Sequence, residues 1–294
     1  MTDLEIVLAT SLIAAIVIGL YASIHRSGSL VLAKSGGAID GRKEREKQRV
    51  LAERARIVRA IEAERGSKVI TMIHRKEPWA DPQDEEYITI EDTEQILGTI
   101  HETPKDKPID MILHTPGGLA LAAEMISTAL YDHPGKVSVF IPFYAMSGGT
   151  LCALAADEIY MEKFSVLGPV DPQLDEFPAS GYEIVLQTKK PDTIADQTIM
   201  MAHIAEMAVK NMKFLVTQLL SDKMSKEQAE KSAEFLTGGY ITHDTPLGID
   251  SAKLLGLNVK EGVPERVFEL FTTIGFAVSH RPSRSRPFRP FRTR

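Results

Sequence analysis

The chain has 294 residues, 44% of them hydrophobic, which is enough for one substantial core with appendages. A net charge of −6 argues against a general nucleic-acid binder. The single cysteine, Cys152, excludes an internal disulfide, so stability has to come from packing.

From Ile6 to Ile24 the run "IVLATSLIAAIVIGLYASI" carries no charge. About 20 apolar residues suffice to cross a bilayer. Asp3 and Glu5 precede the run, unlike the positive start of a cleaved signal peptide, and Arg26, Lys34, Arg42, Lys43, Arg45 and Lys47 follow it. The pattern predicts an uncleaved, single-pass anchor over 1–26, with the N-terminus outside and the bulk of the chain on the cytoplasmic side of the cell membrane. A buried core helix is the alternative.

Residues 27–67 read as a Gly/Ser linker and then a charged helix over 42–65. Val50, Leu51, Ile57, Val58 and Ile61 make an imperfect stripe, as expected of a surface helix between the anchor and a globular domain at 68–262. That domain alternates. Strands are expected at 68–74, 109–114 and 136–142, and helices at 90–103 (with Asp92 as N-cap), at 119–133 and after Ser147. Two short strands with a bend are expected over 157–172. Strands separated by helices predict an α/β fold with a parallel sheet. Residues 192–222 read as one long helix or two, apolar on all sides and so expected to pack on both. Its methionines suit a protomer interface or a groove for apolar peptide. Residues 263–294 form an extension ending in "RPSRSRPFRPFRTR", a solvated tail whose Arg and Phe could also touch anionic lipid or RNA.

Two glycine turns carry the chemistry. One buried strand ends in Thr115-Pro116-Gly117-Gly118, and the next ends in Met146-Ser147-Gly148-Gly149. Each turn opens a helix, where amides lack partners and the helix dipole favours negative charge. On neighbouring parallel strands the two turns face one crevice and can offer one amide each to an oxyanion. Either turn alone is more often structural, and Ser147 alone could be a helix N-cap. Together they suit a serine aimed at a carbonyl, which still needs a base. His243 lies in the turn-rich "GGYITHDTPLG", and Asp171 is held between two prolines. Each is also readable as an ordinary loop side chain. His203 in the long helix, His114 on a buried strand and Cys152 read as structural residues. Neither a metal-ligand spacing nor a phosphate loop is present, so no metal or cofactor is expected.

"HTPGG" followed by "AMSGGTLCALAADEIYM" resembles the Clp protease/crotonase superfamily, whose fold is a spiral of βαβ units with a parallel sheet. "SVLGPVDPQL", "PAS" and "YITHDTPLGIDSAKLLGLNV" are similar to the serine dehydrogenase proteinase family of membrane-associated serine proteases. The resemblance spans roughly 68–260. It implies Ser147 as nucleophile, Gly118 and Gly148 as oxyanion donors with Gly117 shaping the turn, and the order Ser147, Asp171, His243 for a triad. Clp peptidases carry a histidine about two dozen residues after the serine, where this chain has Gly168-Pro169-Val170-Asp171-Pro172. Related signal-peptide peptidases use a Ser–Lys dyad, which would fall on Lys189 or Lys190. The resemblance further implies peptide or membrane-proximal protein substrates and a homo-oligomer of trimer or hexamer type. A crotonase-like enzyme acting on acyl-CoA and a catalytically inactive membrane scaffold remain open as alternatives.

Overall fold

The computed structural model describes residues 40–273 apart from 76, 78, 80–85 and 175–176, with the side chains of 40–43 also undescribed. The expected anchor at 6–24, the linker before residue 40 and the tail at 281–294 lie outside the described residues. Among the described residues no helix is long and apolar enough to cross a membrane. The chain divides into two units, Met1–Arg49 and Val50–Arg294, and the second carries the fold.

Its centre is a five-stranded parallel sheet in the order β1 (Lys68–Ile73), β2 (Ile109–His114), β3 (Val137–Ile141), β5 (Glu158–Met161), β9 (Val259–Glu261). Every residue of β2 and β3 is buried, as a strand covered on both faces requires. Alternate residues serve different cores. Ile109, Met111 and Leu113 of β2 and Val139 and Ile141 of β3 join a large cluster with α3 (Ala120–Tyr131), α4 (Gly148–Leu154) and the end of α6 (Asp196–Leu220). Ile112 and Phe140 point to the opposite face. There they meet Ile57 and Ile61 of α1 (Asp40–Arg65) and Val267, Leu270 and Phe271 of α9 (Glu265–Thr272).

Helix α1 therefore does more than span a gap. Ile57 and Ile61 are each 2% exposed, whereas Leu51, in the same apparent stripe, is 39% exposed. Arg65, the last residue of α1, pairs with the buried Asp110 of β2, and Ser67 Oγ donates to that carboxylate at 2.6 Å. The Arg65 guanidinium also lies over the Phe140 ring, 4.7 Å from its centroid. An unpaired carboxylate in that position would be costly, and Arg65 supplies the counter-charge.

Helix α2 (Ile90–Glu102) starts one turn earlier in its capping pattern than the sequence suggests. Thr89 is the N-cap and Asp92 is the third helical residue, the two exchanging bonds in a capping box. The long helix runs Asp196–Leu220. It buries Leu215, Val216, Leu219 and Leu220 near its end but leaves Ile199, Met200, Ile204 and Met207 exposed, so it is not covered on all sides. With α5 (Ala179–Thr188) and α7 (Lys226–Thr237) it forms a helical layer beside the sheet.

Above the strand ends, four segments distant in sequence stand side by side. Thr115 bridges Ala145 in parallel, β4 (Tyr144–Ala145) pairs with β6 (Val166–Leu167), and Leu167 bridges Leu247 in antiparallel sense. This row sets up the site.

Candidate active site

Ser147 lies where β4 turns into α4. Its φ of 48° and ψ of −117° make it the one non-glycine residue with positive φ among the described residues. Such a conformation costs about 1–3 kcal/mol and persists only where the surroundings enforce it. Here the Met146 amide donates to Thr115 O at 3.0 Å, the Thr115 amide donates to Tyr144 O at 3.2 Å, and the Gly149 amide donates to Met146 O at 2.7 Å. Ser147 is half-buried, and its side chain makes no capping bond although it occupies the N-cap position. The turn therefore presents the hydroxyl without spending it on the helix.

The 115–118 loop adjoins this turn. A Cβ on Gly117, whose φ is 107°, would lie 2.7 Å from Ser147 Cβ and 3.2 Å from Gly148 N. A Cβ on Gly118 would come within 2.3 Å of Ile88 N, so that position is closed to side chains from the other direction. The Gly117 amide is already engaged, donating to Thr115 Oγ1 at 3.1 Å. Among the described residues the amides of Gly118 and Gly148 serve no other acceptor. Gly148 opens α4, where the helix dipole favours negative charge, and a Cβ on Gly148 would lie 3.7 Å from Gly118 N.

Asp171 and His243, 72 residues apart, meet. His243 Nδ1 lies 2.7 Å from Asp171 Oδ1, and the carboxylate is 4% exposed against 36% for the imidazole. An ionised carboxylate only accepts, so Nδ1 carries the proton and Nε2 keeps its lone pair. The Asp171 bond raises the His243 pKa above its ordinary 6.5, and partial burial opposes that rise. The segment before Asp171 is tied to α4 and to α7. The Gly168 amide donates to Thr150 Oγ1 of α4 at 2.9 Å, and the Val170 amide donates to Leu236 O at 2.9 Å. No hydrogen bond joins Ser147 to His243 in this conformation. Nothing in the sequence singles out Gln173, whose Nε2 donates to Asp171 Oδ2 at 2.7 Å, leaving both carboxylate oxygens occupied.

A family model described as ClpP-like SDH-type serine proteinase matches residues 42–292. The chain belongs to that family. Its relatives include two Methanocaldococcus jannaschii proteins. Uncharacterized protein MJ1495 is 46% identical over 235 residues, 79% of this chain and 80% of that one. Uncharacterized protein MJ0137 is 49% identical over 220 residues, 74% and 77% of the two chains. Among solved structures, a mutant of the 1510-N membrane-bound stomatin-specific protease is 20% identical, with 64% of this chain and 79% of that one covered and a TM-score of 0.42. ClpP1 from Listeria monocytogenes is 16% identical, with 66% and 92% covered and a TM-score of 0.41.

The remaining basic and nucleophilic candidates of the chain sit elsewhere. Lys189 and Lys190 follow α5 and are exposed. Lys223 is half-buried, and desolvation pushes it down to about 8, but its Nζ donates to Leu154 O at 2.6 Å. That is the far end of α4, about 10 Å along the helix from Ser147. His203 is exposed beside Glu206. His114 is buried among the rings of Phe143, Tyr144 and Phe271, and burial together with Arg75 and His74 pushes it down to about 4, so it is neutral near pH 7. Cys152 is wholly buried, and burial pushes its thiol up to about 12, which leaves no thiolate.

Proposed function

We propose that the chain is a membrane-anchored serine endopeptidase in which Ser147 attacks a peptide carbonyl and Asp171 and His243 complete the triad. The observation that carries this reading is the close approach of two glycine turns around a serine held at positive φ. Attack forms the Ser147 Oγ–carbon bond while His243 Nε2 takes the hydroxyl proton. The Gly118 and Gly148 amides hold the developing oxyanion, with Gly117 shaping the loop. Collapse breaks the carbon–nitrogen bond, the proton passes from His243 to the leaving amine, and water then releases the acyl group by the same exchange.

His243 is favoured over Lys189 or Lys190 on physical grounds. It has a buried carboxylate partner, whereas a lysine serves as base only when burial or positive charge lowers its pKa, and both of these are exposed. The uncharged run at 6–24 supports the anchor and a cytoplasmic catalytic domain. Peptides and membrane-proximal proteins are then the substrate class. The exposed apolar residues of α6 support assembly with further copies, as a trimer or hexamer.

A fluorophosphonate probe tests the reading. Wild type is expected to label and Ser147→Ala not to, with the labelled protein retained in alkaline-washed membranes unless residues 1–26 are deleted. Equal labelling of Ser147→Ala would remove this serine from the mechanism. Release of the full-length protein by the wash would remove the anchor.

A further inference from the structure

His74 follows the last residue of β1, at the strand end where sites gather in parallel sheets. Its side chain is 8% exposed. Nδ1 lies 2.7 Å from Thr115 Oγ1, and Nε2 lies 3.2 Å from Asp92 Oδ2. The same Asp92 oxygen accepts from the Thr89 amide at 2.8 Å and the Thr89 hydroxyl at 3.0 Å. Burial opposes ionisation of Asp92, but the bonds from His74 and Thr89 outweigh it and hold the carboxyl below its ordinary range.

The proton directions follow from these partners. A carboxylate only accepts, so neutral His74 carries its proton on Nε2 and accepts at Nδ1. The donor to Nδ1 is then the hydroxyl of Thr115, a residue with no exposed surface. With its proton committed to His74, Thr115 Oγ1 turns a lone pair to the Gly117 amide at 3.1 Å. The other acceptor near that hydroxyl, Gly117 O, is farther away at 3.3 Å and already takes the Ile88 amide at 2.7 Å. The Leu119 amide in turn donates to Ile88 O at 2.9 Å. Both polar groups of Gly117 are thus fixed, and the next amide along the chain is Gly118.

We propose that Asp92, His74 and Thr115 form a relay of positioning residues that aims the Gly118 amide at the oxyanion. This deepens the assignment of Ser147 and Gly118 made above and rests on it. Neither Asp92 as a helix cap nor Thr115 as a core residue requires a histidine between them; fixing the loop does. The relay also differs from the Asp171–His243 pair, since it holds an electrophilic donor and moves no proton to or from substrate.

The test is the kinetics of fluorophosphonate labelling at Ser147, resolved into kinact and KI. Loss of a complete oxyanion donor costs about 10²–10³-fold, so Thr115→Val is expected to lower kinact roughly tenfold or more, with KI within about twofold. Thr115→Ser keeps the hydroxyl and is expected to restore most of the rate. His74→Leu, which removes the acceptor for the Thr115 hydroxyl, is expected to match Thr115→Val and to add little in the double variant, because both break one chain. If Thr115→Val does not fold, the comparison of His74→Leu with Thr115→Ser serves instead. Wild type that does not label at Ser147 would overturn the serine assignment and the relay with it. Wild type that labels at Ser147 while His74→Leu and Thr115→Val label as fast as wild type would overturn the relay alone. So would a Thr115→Ser variant as slow as Thr115→Val, because the methyl packing would then be what matters.

Discussion

At residue 147 the backbone is forced into a conformation that ordinary side chains avoid, and the hydroxyl gains nothing locally in return. That is the arrangement expected where strain is kept for presentation of a reactive group. Its base sets the pH response. His243 must be neutral to take a proton, and its pKa is raised chiefly by the Asp171 bond. Labelling should therefore rise with pH through a midpoint above 6.5. Asp171→Asn is expected to move that midpoint down and to slow the reaction by roughly 10²–10⁴-fold. An unchanged pH profile in Asp171→Asn would detach the carboxylate from the base. The linkage to stability has the opposite sense: the pair's contribution is complete below pH 6.5 and is lost as pH rises through the raised value. Ser147 and the glycine turns are legible in the sequence because glycine at a strand–helix junction is a local signal. Gln173 and His74 are not, since a polar side chain near a strand end looks the same with or without a partner.

Among the elements, α1 shows the limit of periodicity. Charges at helical spacing identify the helix, but a stripe of five apolar residues does not tell which ones face a partner. Ile57 and Ile61 pack against β1, β2, β3 and α9, whose contributing residue Phe271 lies more than 200 positions away. Ile57→Ala is expected to destabilise the fold by about 2–4 kcal/mol, read as a lower urea midpoint with an unchanged slope. A change below about 0.5 kcal/mol would show that α1 does not belong to the core. The strand at 109–114, by contrast, is delimited by sequence alone, because a strand buried on both faces leaves an uninterrupted apolar run apart from Asp110 and its terminal His114. Asp110 looks like an interruption until Arg65 is found beside it.

Across the molecule, the site is a product of pairing between remote segments. Thr115, Ala145, Leu167 and Leu247 bring four loops into one row, and only the first two are linked by a recognisable repeat of turn chemistry. The meeting of Asp171 with His243 depends on the Leu167–Leu247 bridge, which has no local signature. The family model reaches from 42 to 292, beyond the 68–260 over which motifs are visible, consistent with α1 and α9 being part of the packed unit. A crystal structure of the phosphonylated protein tests the central claim most directly. The account predicts phosphorus on Ser147 Oγ and a phosphonyl oxygen about 3 Å from both the Gly118 and the Gly148 amides. An adduct on another residue, or an oxygen turned away from both amides, would contradict it.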